Sequence, residues 1–238
     1  MKFITTSWDD GYPSDARLAD LLEKYNLKGT FYIPKTNTEY RVMDEQSIVD
    51  LSRRFEIGGH TIQHRRINTK NVSVFEKEIS GCYSWLKDLL QTNPVSFCFP
   101  GGVYNSHAMQ YAFEAGFKIV RTTELLQPSM RKNSLVIPTT LQVYNHSAFT
   151  YYKHLILRKK FNSLNLFVRS GSSSKLLHLV AYYLEHILKT GGCFHLWGHS
   201  WELDANNLWK PLESILKMLS NIDECNYISN GELASLKQ

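Results

Sequence analysis

No run of about 18 apolar residues occurs in the 238-residue sequence, so no membrane-spanning helix is expected. The first residues also lack the charged, apolar and small-residue succession of a secretion signal, and a cytoplasmic location is expected. Cysteine is sparse. Cys82, Cys98, Cys193 and Cys225 stand far apart with no CxxC pair, which argues against a disulfide framework and against a cysteine-bound zinc. Charge of either sign is modest: 27 basic against 22 acidic residues give +5, short of the basic excess of a nucleic-acid binder. A nucleic-acid partner is therefore not expected, whereas an anionic substrate is still admissible. There is no internal repeat, and the one low-complexity stretch, RSGSSSK at 169–175, reads as a surface loop.

What is present suffices for a large core: 43% of residues are hydrophobic and 13% aromatic, and one domain over 1–238 is expected. Strand-like FITTSW, GTFYIP, FEIGGHT, VSFCFP and FKIVRTT alternate with helical patterns over 17–25, 46–54, 74–90 and 108–114. LVIPTTLQVY, CFHLWGHS and NYIS continue the series as further strands. The rhythm predicts an α/β fold on parallel strands, closed as a barrel or open as a sheet. Between 151 and 175, aromatic and aliphatic residues mix with Lys153, Arg158, Lys159, Lys160, Arg169 and Lys175. That pattern fits a basic amphipathic segment, or the solvated face of an ordinary helix.

Groups able to do chemistry fall at the ends of the predicted strands: Asp9 and Asp10 after the first, His60 and His64 after the third, Pro100-Gly101-Gly102 after the fourth, and His199 after CFHLWG. In parallel α/β folds that edge carries the active site. GGHTIQH sets two imidazoles four residues apart, a spacing that places both on one face of a helical turn and lets them converge on one ion. Asp10 is the obvious third ligand, and a His-His-Asp set with an open position suits a catalytic zinc. Two surface or capping histidines are the ordinary alternative for the pair alone. A cation bound by Asp10 leaves Asp9 free to take a proton from an attacking water. DDG by itself reads as a helix-start turn with capping aspartates.

TSWDDG, HTIQH, FPGG and LWGH, in that order between residues 3 and 202, resemble the motifs of the polysaccharide deacetylases, carbohydrate esterase family 4. The resemblance implies a distorted (β/α) barrel and a metal-dependent hydrolase that removes an acyl group, usually N-acetyl, from an amino sugar. It places the catalytic base at Asp9 and the metal ligands at Asp10, His60 and His64, with the general acid at His199. His195 competes for that last role but lacks the leucine three residues before it that Leu196 supplies to His199. A backbone N–H donor to the developing oxyanion falls on Gly101.

Two motifs depart from the family. Cys98 stands where an arginine ordinarily orients the base, and the fourth motif is not recognisable around 120–124. Arg121 is the expected replacement partner for Asp9, a surface arginine being the alternative. Trp8, Trp197 and Trp201, helped by Tyr104, suggest a sugar-stacking wall or core packing. Glu202 either orients His199 or caps the next helix. The implied substrate is an N-acylated sugar or oligosaccharide. The basic 151–175 region would suit a lipid-linked or phosphate-bearing acceptor at a membrane face. Zinc is the expected divalent metal. The rival readings are a formylated sugar or another linear amide as substrate, and an inactive carbohydrate-binding homologue.

Overall fold

Runs rich in β-branched and aromatic residues become strands here, and the amphipathic stretches between them become helices. The computed structural model describes residues 1–68, 71–129 and 134–236. β1 (Lys2–Asp9), α1 (Asp15–Lys24), β2 (Gly29–Ile33), α2 (Glu45–Ser52) and β3 (Glu56–Gly59) come first. α3 (Val72–Phe75) and α4 (Gly81–Leu90) follow, joined by a π-helical turn at Glu76–Ser80, and then β4 (Ser96–Cys98), α5 (Ser106–Glu114) and β5 (Ile119–Arg121). The second half holds β6 (Val136–Ile137), β7 (Leu141–Gln142), α6 (Ala148–Leu157), α7 (Phe161–Arg169) and α8 (Leu176–Thr190). It closes with β8 (Gly192–His199), α9 (Ser200–Ala205), α10 (Trp209–Leu219), β9 (Asn226–Tyr227) and α11 (Asn230–Ser235).

The strands run parallel in the order β6-β5-β4-β3-β2-β1-β8-β7, with β9 paired to β1, and the sheet curls into the expected distorted (β/α) barrel. Helices cover its outside. α8 turns Leu179, Val180, Tyr183 and Ile187 inward and α10 turns Leu212, Ile215, Leu216 and Leu219, the three-and-four spacing of a helix with one buried face. Among the described residues no helix is long and apolar enough to cross a membrane.

One strand expectation fails. LVIPTTLQVY is two short strands, β6 and β7, at opposite ends of the sheet order. Pro138 has no N–H for a ladder and ends β6. Thr139 and Thr140 then cross the gap between the two sheet edges. The Thr139 N–H and hydroxyl both donate to the Glu124 carbonyl (2.8 and 2.9 Å), and the Thr140 N–H donates to the His195 carbonyl (2.9 Å). This tripeptide is the seam that bridges the two edges of the curled sheet.

Register carries the reactive residues to one edge. Asp9 pairs with Tyr32 of β2 on one side and His199 of β8 on the other, and Cys98 of β4 pairs with Arg121 of β5. Gly59, just before His60, permits close packing: a Cβ there would lie 2.7 Å from Phe117 Cζ and 2.9 Å from Phe97 Cδ2. Gly59→Ala should therefore cost about 1–3 kcal/mol of stability through overpacking, read as a lowered urea midpoint; an unchanged midpoint would contradict this packing.

Candidate active site

β1 ends on two carboxylates, and the backbone turns sharply to separate them. Asp10 has φ 80° and Gly11 φ 60°, both left-handed. A side chain at Gly11 would also strike Ile33 Cγ2 at 2.6 Å, so the turn needs glycine there. Asp9 Oδ2 and Asp10 Oδ2 each lie 4.0 Å from His199 Nε2. Both carboxylates are buried, and each takes a different partner.

Asp10 faces the two histidines. Its Oδ1 is 2.9 Å from His64 Nε2 and 3.5 Å from His60 Nε2, and its Oδ2 accepts a hydrogen bond from the Trp201 indole at 2.8 Å. His60 Nδ1 is 2.7 Å from the Cys98 carbonyl, which fixes Nδ1 as the protonated nitrogen and leaves the Nε2 lone pair facing Asp10. The ligand atoms of Asp10, His60 and His64 all lie within 4.8 Å of one another. Asp10 Oδ1 is buried without a hydrogen-bond donor, the signature of an oxygen awaiting another partner. The donor set fits a borderline-soft divalent cation such as zinc.

The two histidines converge without the helical turn their spacing suggested. Thr61 and His64 are left-handed, φ 60° and 54°, in a loop following β3. Contacts distant in sequence impose that shape: Ile62 N–H donates to the Glu78 carbonyl (2.9 Å) and Gln63 N–H to the Glu78 carboxylate (3.0 Å). Glu78 is itself buried in the π-helical turn, a feature common near functional sites.

Asp9 Oδ1 accepts a hydrogen bond from Arg121 Nη2. Arg121 is fully buried, its guanidinium 4.8 Å from the Trp197 ring and 5.1 Å from that of Tyr32. Burial disfavours its charge, but the Asp9 carboxylate more than compensates and keeps it ionised. The arginine absent from position 98 is thus matched by one on the neighbouring strand, directly across the register.

His199 Nδ1 is 2.7 Å from Glu202 Oε2, which also accepts from Gln142 Nε2 at 2.9 Å; Gln142 Oε1 in turn meets His146 Nε2 at 2.9 Å. Burial would lower the His199 pKa, but Glu202, then Asp10 and Asp9, raise it to about 9. A bound cation would offset the contributions of the two aspartates and leave that of Glu202. Gly101 sits in the turn after β4 with φ 60°.

His195 points elsewhere. It is buried, with Nε2 2.8 Å from the Ser7 hydroxyl and Nδ1 3.0 Å from the Pro138 carbonyl, and burial pushes its pKa down to about 3. The aromatics divide between the two readings. Trp8 is core and Trp197 lies under Arg121; Trp201 stacks on Tyr40, with ring centroids 4.1 Å apart, and Tyr104 stacks on Phe99.

Asp15, in the first turn of α1, went unread because a helix-start aspartate looks like a cap. It is fully buried, and neither of its carboxyl oxygens has a hydrogen bond of ordinary geometry. Burial first, then the charges of Asp10 and Asp9 against the opposing Ser200 and His199, hold its carboxyl well above the usual range. Gln142 and Glu78 also carried no motif signal.

The family model for "Polysaccharide deacetylase" matches residues 1–120. No curated protein matches the chain. Among solved structures, a Mycobacterium smegmatis protein assigned as a polysaccharide deacetylase is similar at TM-score 0.69 and 14% identity, over 99% of this chain and 90% of that one. The peptidoglycan N-acetylglucosamine deacetylase Bc1960, bound to an N-hydroxybenzamide, is similar at TM-score 0.56 and 16% identity, over 95% of this chain and 85% of that one. The Streptococcus pyogenes deacetylase PplD in complex with acetate gives TM-score 0.51 and 20% identity, and here the match spans 56% of this chain and only 62% of that one.

Two stability measurements probe the buried charges. Arg121→Ala strands the Asp9 carboxylate in the interior and should cost about 3–5 kcal/mol, read as a lowered urea midpoint. His195 titrates near 6.5 when unfolded and near 3 when folded, so below about pH 6.5 the unfolded chain binds the extra proton. Stability is full above that pH and should fall by roughly 4–5 kcal/mol as pH drops to 3. His195→Gln should flatten that slope, and an unaltered acid limb would refute the assignment.

Proposed function

This chain belongs to the polysaccharide deacetylase family, and we propose that it is a divalent-metal-dependent hydrolase that removes an N-acetyl group from an amino sugar of a glycan or glycan precursor. The observation that carries this reading is the buried Asp10 Oδ1, without a donor and facing the Nε2 atoms of His60 and His64, while Arg121 holds the adjacent Asp9 apart. Asp10, His60 and His64 would hold the metal, with zinc the best fit to two imidazoles and a carboxylate. Bound there, the cation supplies Lewis-acid polarisation of the acyl carbonyl and acidifies water.

The chain's own residues do the rest. Asp9, with Oδ1 occupied by Arg121, presents Oδ2 to the cleft shared with His199 and takes a proton from the attacking water. The Gly101 N–H donates to the oxygen that gains charge. As the C–N bond breaks, His199 gives its Nε2 proton to the departing amine, and Glu202 holds Nδ1 so that Nε2 faces the aspartates. The products are the free amino sugar and acetate. Acetate in the complex of the Streptococcus pyogenes relative and the peptidoglycan N-acetylglucosamine named for Bc1960 support this substrate class. A cytoplasmic setting, with a precursor as substrate, agrees with four buried cysteines that form no disulfide. The same groups would cleave a formyl or other linear amide, so a panel of acyl donors separates those substrates. Arg121 beside Asp9 supplies the cation whose absence from position 98 would favour an inactive homologue.

Purified protein should contain about one equivalent of divalent metal and release acetate from N-acetylated oligosaccharides. Asp9→Asn should lower turnover about 10²–10⁴-fold with metal retained. His60→Ala should lose the metal itself. Hydrolysis that survives exhaustive chelation would overturn the reading.

A further inference from the structure

From Leu125 to Leu184 the sequence contains no aspartate or glutamate, while eight lysines and arginines fall in that span. Within it, α6 and α7 form a helical hairpin joined by Arg158, Lys159 and Lys160, with Lys159 at φ 53° making the tight turn. Its inner side is well packed: Tyr151 and Leu155 of α6 and Phe167 of α7 are buried, and Phe167 lies 5.3 and 5.2 Å from the rings of Tyr151 and Tyr152. Its outer side is not. Of the ten large hydrophobic side chains exposed among the described residues, six belong to this hairpin and the first turn of α8: Phe149, Ile156, Leu157, Phe161, Val168 and Leu177. Three of them meet at the hairpin tip, where the sequence reads Ile-Leu-Arg-Lys-Lys-Phe, and Ile156, Leu157 and Phe161 are 53%, 70% and 65% exposed. Scattered single exposed hydrophobics are ordinary, whereas a cluster inside a basic collar is not.

The tip stands beside the catalytic edge. Lys160 Nζ is 2.7 Å from Glu124 Oε2 and Arg158 Nη1 is 3.7 Å from Glu124 Oε1, and Glu124 lies three residues past Arg121 on the loop leaving β5. Tyr104, Glu124 and Lys160 line one small cavity of about 110 Å³ there.

We propose that the tip of the α6–α7 hairpin docks on an anionic phospholipid surface, with Ile156, Leu157 and Phe161 entering the acyl boundary and Arg158 and Lys159 meeting the headgroups while Lys160 stays on Glu124. Both halves of that chemistry are on the face, apolar side chains and cations with no carboxylate but Glu124 among them. A second copy of this chain is a poor occupant, because two-fold pairing sets each patch against itself and brings cation onto cation. A nucleic acid would use the cations but not the exposed aliphatic chains. The docking is independent of the hydrolytic reading and holds whatever acyl group is cleaved.

Flotation of the full chain with phosphatidylcholine vesicles, with and without phosphatidylglycerol, tests it. The protein should float with the anionic vesicles, less so as salt rises, and not with the neutral ones. Leu157→Ser/Phe161→Ser should weaken binding by at least about tenfold, while circular dichroism and hydrolysis of a soluble oligosaccharide stay unchanged. No flotation, equal flotation with neutral vesicles, or equal flotation of the double variant would each overturn the proposal. So would a dimer of the parent chain that the double variant abolishes, since the face would then belong to a second copy.

Discussion

Two carboxylates on consecutive residues at a buried strand end repel each other, and both cannot stay ionised unless each is given its own cation or donor set. The barrel is arranged around that requirement at Asp9 and Asp10. The left-handed backbone at Asp10 directs one carboxylate toward His60 and His64 while the other meets Arg121. A protein with only one of these partners would leave a buried charge uncompensated, a cost of several kcal/mol. Because the pair is divided this way, two side chains of the same type can serve as ligand and base.

The partners arrive from strands that are not neighbours of β1. Arg121 is on β5, four places away in the sheet order, and it reaches Asp9 across the barrel interior, past rings contributed by β2 and β8. That contact exists only because the sheet curls, and Pro138, Thr139 and Thr140 bridge its two edges between β6 and β7. The seam and the active site are linked through His195, whose carbonyl accepts from Thr140 and whose ring binds Ser7, two residues before Asp9. The general-acid candidate also comes from outside the span matched by the family model, since His199 lies on β8 beyond residue 120.

Much of this was legible in the sequence because strand ends carry the chemistry in parallel folds: Asp10, His60 and His64 stand together, and His199 stands over both aspartates. Arg121 was readable only as a substitution for something missing at Cys98, and the reason it succeeds is register, which no local pattern reveals. Left-handed conformations at Thr61 and His64 had no signal, because they depend on Glu78, fourteen residues past His64. The division of LVIPTTLQVY is signalled by Pro138, which cannot donate to a ladder. For Trp8 the core-packing alternative holds: proximity in sequence to Asp9 says nothing about which face of β1 it occupies, and it occupies the core.

The proposed docking of the hairpin tip would link a modest surface feature to catalysis. Full burial of a large apolar side chain is worth roughly 1.5–3 kcal/mol, and each cation near an anionic surface adds about 1 kcal/mol. With Glu124 already engaging Lys160 and Arg158, the net attraction is that of a reversible peripheral contact, well short of an anchor. Such a contact raises the local concentration of a membrane-borne substrate without tightening the active site around it. Under the proposed hydrolysis the catalytic edge would then bind its sugar loosely, so that interactions made by Asp9, Gly101 and His199 would be reserved for the transition state.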